Sequence, residues 1–531
     1  MMATWSRTWV GTGRLIALAL RRDRWLIATW LTVLTATVYA SAAGTAQMYP
    51  TATQRIETAM ALNASPVVVG LYGPILDPAS LGELAMTKMT VLYSVLVAVM
   101  FLFLARRHTR LAEEQGQIEL LGGTAISRNA PLLAAGAEAA LTAFGLAALV
   151  AGASILGGLP AEGSVLFALS WAGTALVFTA ATMVSCQVYP SARACALLAG
   201  GLVGLAYVTR AVGDANGWWS SWLSPLAWNT QLRPWSQPRL WVLLLYVAAT
   251  VSLVILSLLL RALRDTGAGL LSERAGAARA DKHLHGVLTL QLKLLRPMYV
   301  AWTVAAIGGG LTFAAMVPGL SSLLNSPQAM VMMQRLGGMG KVYDTMMGSV
   351  LLMLALAVGC FGVAVVMHTS DDERSRRLEL LMATSTTRAR VFWSGVMVAG
   401  LGTLTLLVLI GLAAWIGWSA AGPNPPITDL VVAATAYLPA VWVVVSLTLL
   451  AHAISSRFAA LGWVLLICYL VLMVLVGLFD LPAWVSKLSP FAFTPRLPAE
   501  HFRPVPLLIM TGLSCLITVG AWFRYRRRDL A

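Results

Sequence analysis

Apolar runs of membrane-spanning length recur along the whole chain, separated by shorter stretches rich in arginine, glycine and proline. A hydrocarbon core about 30 Å thick takes about 20 helical residues, and unpaired backbone groups in lipid exclude anything but helices here. Such runs fall at 25–43, 86–105, 130–157, 163–188, 194–212 and 240–261. They fall again at 299–319, 344–367, 391–419, 428–453, 459–479 and 504–523. The pattern predicts an all-α polytopic membrane protein with twelve transmembrane helices. Composition agrees: of 531 residues 58% are hydrophobic and 11% charged, with a mean hydropathy of +0.77, outside the range of soluble domains.

The polar stretches carry a repeat. The passages 108–128 and 368–388 align without a gap at a spacing of 260, pairing His108/His368, Thr109/Thr369, Glu113/Glu373, Glu119/Glu379, Leu120/Leu380, Leu121/Leu381, Thr124/Thr384 and Arg128/Arg388. Roughly one match would arise by chance over such a span, so the chain reads as a tandem duplication. Ser224-Pro225-Leu226-Ala227-Trp228 likewise resembles Ser489-Pro490-Phe491-Ala492-Phe493, and Leu62 to Pro66 resembles Leu324 to Pro327. The predicted organisation is two parallel six-helix halves, 1–261 and 299–531, joined by a basic linker, 262–298.

The net charge of +15 and pI near 10.1 would suggest a nucleic-acid partner in a soluble protein. Here the arginines cluster at one set of span ends, at 7–24, 106–128, 261–296, 374–390 and 524–528. That is the positive-inside pattern of a bacterial plasma-membrane protein with both termini and both repeated passages in the cytoplasm, and nucleic acid becomes unnecessary. An A-x-A-like site at Ala40-Ser41-Ala42 resembles a signal-peptide end, but the preceding run is long enough to span. Each half is expected to begin with an amphipathic interfacial helix. The first carries Trp5, Trp9, Leu15 and Leu18 among arginines, and the second covers 284–295.

The repeated passages are the leading functional candidates. Leu111, Ile118 and Leu121 fall on one helical stripe beside Glu113, Glu114 and Glu119, and Leu378, Leu380 and Leu381 stand beside Asp371, Asp372, Glu373 and Glu379. An ordinary solvated loop helix is the plain alternative, but it gives no reason to keep Leu-Leu in both copies. Within a span, Glu138 is a costly charge with an apolar counterpart, Val398. It reads either as a pathway residue for a cationic ligand or a proton, or as a partner of an inner-side arginine such as Arg193. The outer segments 213–239 and 480–506 hold interfacial tryptophans, and Gly200-x-x-x-Gly204 favours close helix packing.

Other chemistry is not expected. The five cysteines lack ligand spacing, and His283-x-His285 has no acidic or thiol companions. His108 and His368 are expected at the membrane edge, so no metal site and no catalytic residues are predicted. There is no G-x-x-x-x-G-K-[ST], and Gly337 to Val342 lacks its spacing and its hydroxyl.

The stretches Glu113-Glu114-Gln115-Gly116-Gln117-Ile118-Glu119-Leu120-Leu121 and Arg376-Arg377-Leu378-Glu379-Leu380-Leu381 resemble the coupling-helix region of type-2 ABC exporter permeases. The fused two-half length is similar to actinobacterial polyketide-antibiotic and multidrug exporter permeases. The resemblance implies ATPase-docking roles for Glu113, Gly116, Glu119, Leu120, Leu121, Glu373, Arg377, Glu379, Leu380 and Leu381. It also implies a partner: two separate ATPase subunits, copies of one polypeptide, which would bind the ATP and magnesium that this chain does not. The implied substrate is hydrophobic or amphipathic, an antibiotic, drug or lipid. In the second copy Arg376 replaces the glycine, which puts the equivalence of its docking contacts in question. The competing reading is a major-facilitator drug transporter, whose loop motif after helix two is missing from 106–123. A scramblase or membrane scaffold is a third.

Overall fold

The computed structural model describes residues 10–64, 66–265, 267–271, 282, 284–319, 339–421, 426–478, 484 and 487–528. The described residues are helical with no strand, and eleven helices are long and apolar enough to cross a bilayer. The chain divides into two compact units, Met1–Gly276 and Ala277–Ala531.

In the first unit, α1 (Thr12–Met48) stops at Pro50, whose ring removes a donor and disfavours helix before it. Two short helices follow, α2 (Ala52–Asn63), which starts with a Thr51/Gln54 capping box, and α3 (Pro66–Tyr72). The run α4 (Leu81–Glu114) contains two π-turns, at Met89–Tyr93 and Arg107–Leu111. Then come α5 (Gln117–Gly122), α6 (Ala130–Leu156), α7 (Ala161–Val188), α8 (Ala192–Asn216) and α9 (Trp241–Ala262). Of these, α7 is buried on most sides and packs against α4, α6, α8 and α9. By contrast α9 leaves Leu244, Val247 and Leu259 at least 58% exposed, an apolar face suited to lipid.

The second unit contains α10 (Val287–Gly319), α11 (Met339–Arg374), α12 (Arg377–Met382), α13 (Arg388–Ala421), α14 (Ile427–Ile454), α15 (Leu461–Leu478) and α16 (Pro504–Arg527). Its most buried helices are α11 and α14, and α16 exposes Leu508, Ile509 and Leu516. Some hydroxyls inside the spans are satisfied within their own helices, as in Thr182 Oγ1 to the Phe178 carbonyl at 2.7 Å and Thr448 Oγ1 to the Val444 carbonyl at 2.8 Å.

Among the described residues each stretch expected as an interfacial helix runs on into its span: α1 continues unbroken for 37 residues, roughly 55 Å at 1.5 Å per residue, and α10 absorbs 287–295. Nothing between Leu15 and Thr37 breaks a helix, and Asp23 is neutralised inside the bundle. Trp5, Arg7 and Trp9 lie outside the described residues. The stretch expected as the eleventh span, 459–479, is helical as α15, and within the described residues its apolar run is Ser456–Leu470. Gly200 and Gly204 have open space around them rather than a packed helix.

The outer segments hold more than an interfacial belt. Ala227 N–H donates to the Ser224 carbonyl at 3.0 Å and Ala492 N–H to the Ser489 carbonyl at 3.1 Å, so the two similar motifs form the same turn. Leu324 to Pro327 lies outside the described residues. Trp218 and Trp219 are exposed, but Trp235 lies over Gly82 and Gly163 at the starts of α4 and α7, where a Cβ at either glycine would overlap its indole. Gly163→Ala is therefore expected to overpack this corner and to lower stability by about 1–3 kcal/mol, read as a fall in melting temperature in detergent.

Candidate functional site

Beyond its apolar stretch α4 continues through the Arg107–Leu111 π-turn to Glu114, breaks at Gly116 in the left-handed region (φ 70°), and resumes as α5. The second unit repeats the geometry. There α11 runs to Arg374, Arg376 adopts φ 58°, and α12 follows. Arg376 thus makes the turn that Gly116 makes, at a strain of about 1–3 kcal/mol that a glycine would not carry. Its departure from the first copy leaves the backbone path intact.

Each elbow has a buried root and an exposed tip. Glu113, 8% exposed, takes Arg264 in a bidentate pair at 2.7 and 2.9 Å, Arg110 at 2.8 Å, and the Gly267 N–H at 2.7 Å. Arg110 donates further to the carbonyls of Pro190, Gly267 and Ala268, and Arg264 donates to Gln187 Oε1. Glu114 accepts the Ala192 N–H at 2.8 Å, satisfying a free donor at the start of α8. The root is thereby fastened to the end of α7, the start of α8 and the chain after α9.

Glu373, 2% exposed, pairs with Arg528, which follows α16 as Arg264 follows α9. Arg528 also donates to the His452 carbonyl at 2.6 Å, while Ser370 and Arg374 donate to the Ser456 carbonyl. Other repeated residues keep their roles. Arg128 donates to the Arg264 carbonyl and Arg388 to the Arg528 carbonyl, each at 2.7 Å. Thr124 and Thr384 donate to the carbonyls of Leu121 and Leu381, each at 2.6 Å.

The tips differ from the roots. Glu119, Leu120, Arg377, Glu379 and Leu380 are exposed, Leu120 by 80% and Leu380 by 74%, while Leu121 and Leu381 are half-buried. Two bare leucines beside two free carboxylates on short rigid helices are suited to receive a partner surface. Next to α5, Glu119 borders a cleft of about 430 Å³ lined also by Arg128 and Arg261. Of the ten residues expected at the tips, Glu113 and Glu373 are buried ion-pair partners that orient the elbow from within.

Glu138 in α6 is fully buried. Its neighbour is not Arg193, which is exposed, but His108, whose Nε2 lies 3.4 Å from Glu138 and 2.7 Å from Asp23 of α1. Arg107 reaches the other Asp23 oxygen at 3.1 Å. The sequence reading missed Asp23, Arg110, Arg264 and Arg528. Arg264 and Arg528 stand 264 rather than 260 apart and are lost among many terminal arginines, although each follows the last span of its unit. Of the H-x-H and the glycine-rich decoy, His283, Gly337 and Gly338 lie outside the described residues.

Span-length apolar helices, with one anchored polar elbow in each unit, define a multi-pass membrane protein. Residues 284–526 match the family model of the C-terminal domain of the multidrug efflux system permease Rv1217c. The chain is also 34% identical over 531 residues to the multidrug efflux system permease protein Rv1217c of Mycobacterium tuberculosis, covering 98% of this chain and 95% of the relative. The chain belongs to this multidrug efflux permease family.

Removing one partner of a buried ion pair costs about 3–5 kcal/mol, whereas an exposed tip residue is worth within about 0.5 kcal/mol. Glu113→Ala is therefore expected to lower the melting temperature by several degrees and Glu119→Ala to leave it unmoved, as followed by tryptophan fluorescence in detergent.

Proposed function

We propose that the chain is the membrane permease of an ATP-driven exporter of hydrophobic or amphipathic drugs. In this reading twelve spans form two parallel six-helix halves, both termini and both elbows are cytoplasmic, and α5 and α12 are coupling helices. Each docks on one of two copies of a separate ATPase, which bind the ATP and magnesium. The observation that carries the reading is the pairing of an exposed Glu-Leu tip with an internally clamped root in both units. A surface helix with no mechanical task has no need of a buried ion-pair anchor.

The chemistry of transmission follows. Closure of the ATPases on ATP displaces α5 and α12, and the clamps pass that displacement to α9 and α16 as well as along α4 and α11. Both halves then rock to open an outward path. Between α13, α14 and α16 an apolar cavity of about 380 Å³, lined by Trp393, Leu401, Trp442 and Leu449 among others, is of a size that holds a drug-like hydrophobe. Family membership supports the substrate class, since the named relative is a multidrug efflux permease.

The test is reconstitution with the partner ATPase. Glu119→Ala combined with Glu379→Ala is expected to reduce substrate-stimulated hydrolysis at least tenfold and to abolish co-purification, with an unchanged melting temperature. Transport that persists without nucleotide and follows a proton gradient would instead identify a secondary transporter.

A further inference from the structure

The Asp23, His108 and Glu138 cluster has no part in the docking scheme, and Glu138 is left over from the pairing of Arg107 and His108 that neutralises Asp23. Its ligand atoms, one from each side chain, all lie within 4.8 Å of one another. Asp23 and Glu138 are fully buried at the side chain, and neither Glu138 oxygen accepts a hydrogen bond from any described residue. A buried carboxylate with both oxygens unsatisfied lacks a cationic partner. Arg107 does not fill that role, since it is committed to the Asp23 oxygen turned away from His108. Val398, 260 positions after Glu138, lines an apolar cavity of about 360 Å³ with Leu292, Leu295 and Phe361. The corresponding position of the second unit therefore accepts an apolar residue, and a charge at Glu138 is not what builds the bundle.

We propose that Asp23, His108 and Glu138 bind one divalent transition-metal cation, with Zn(II) or Mn(II) favoured by a donor set of one imidazole and two carboxylates. With bonds of about 2.0–2.1 Å, neighbouring ligand atoms of a tetrahedral site stand about 3.4 Å apart. The His108 to Glu138 separation is already 3.4 Å. The 2.7 Å contact between His108 and Asp23 is a hydrogen bond whose proton occupies the place of the metal. The ion takes that proton's place, coordinated by Nε2 of a neutral imidazole whose proton sits on Nδ1 and by two carboxylates, and the pair opens by several tenths of an ångström. Arg107 stays paired with the other oxygen of Asp23, where an outer-shell cation steadies a monodentate carboxylate. The ion would pin α1, α4 and α6 together five residues before Glu113, at the base of one elbow and not the other.

Full-length protein in nanodiscs, stripped with chelator, is titrated with Zn(II) and separately with Mn(II) by calorimetry, and its metal content is measured after desalting. The wild type is expected to retain one ion per chain. Glu138→Gln and His108→Ala are expected to weaken binding at least tenfold. Glu138→Val, which copies the residue at 398, should lose the ion while keeping its metal-free melting temperature, which separates loss of ligand from loss of fold. Failure of the wild type to bind either ion, or equal affinity in all three variants, overturns the proposal.

Discussion

A carboxylate buried at the foot of each elbow, locked to an arginine just past the last helix of its unit, is the constraint on which the rest depends. Neither Glu113 nor Glu373 tolerates its burial without a countercharge, because desolvating an unpaired carboxylate costs several kcal/mol. Each pair therefore dictates where the long helix before the elbow and the last helix of the unit end relative to one another. The elbow's helix then projects from a fixed base. In the first unit the pair is part of a larger network in which Arg110 satisfies three carbonyls and Gln187 shares Arg264. In the second it is smaller, with His452 supplying a carbonyl beside Arg528.

The unequal anchors belong to a broader inequality. Gly116 and Arg376 make the same left-handed turn at different strain. The charged cluster around Glu138 stands against an apolar cavity around Val398. The two elbows thus share a backbone path while the chemistry around each differs.

Much of this was legible in the sequence. Apolar run length located the membrane helices, because lipid leaves the backbone no alternative. The gap-free spacing of the repeated passages pointed to the elbows, and the Glu-Leu-Leu pattern to their exposed tips. What stayed hidden was which glutamate faces inward. Glu113 and Glu119 look alike in sequence, and only the position of Arg264, more than a hundred residues away, separates them. Periodicity also implied a boundary between an amphipathic start and the first span. The real helix runs through it because Asp23, an apparent breaker of apolarity, is neutralised by Arg107 and hydrogen-bonded by His108. Long-range charge pairing is invisible to local pattern, and it is here that the site departs from the reading of the chain alone.

The central claim is that the elbows meet the motor through their tips while their roots face inward. Its most direct test is site-specific photo-crosslinking in native membranes, with a photoreactive side chain placed at Leu120, Leu380, Glu113 or Glu373. The account predicts crosslinks to an ATPase subunit from both leucine positions and none from either glutamate position. Crosslinks from the glutamate positions, or none from the leucines in a complex that still hydrolyses ATP, would contradict it.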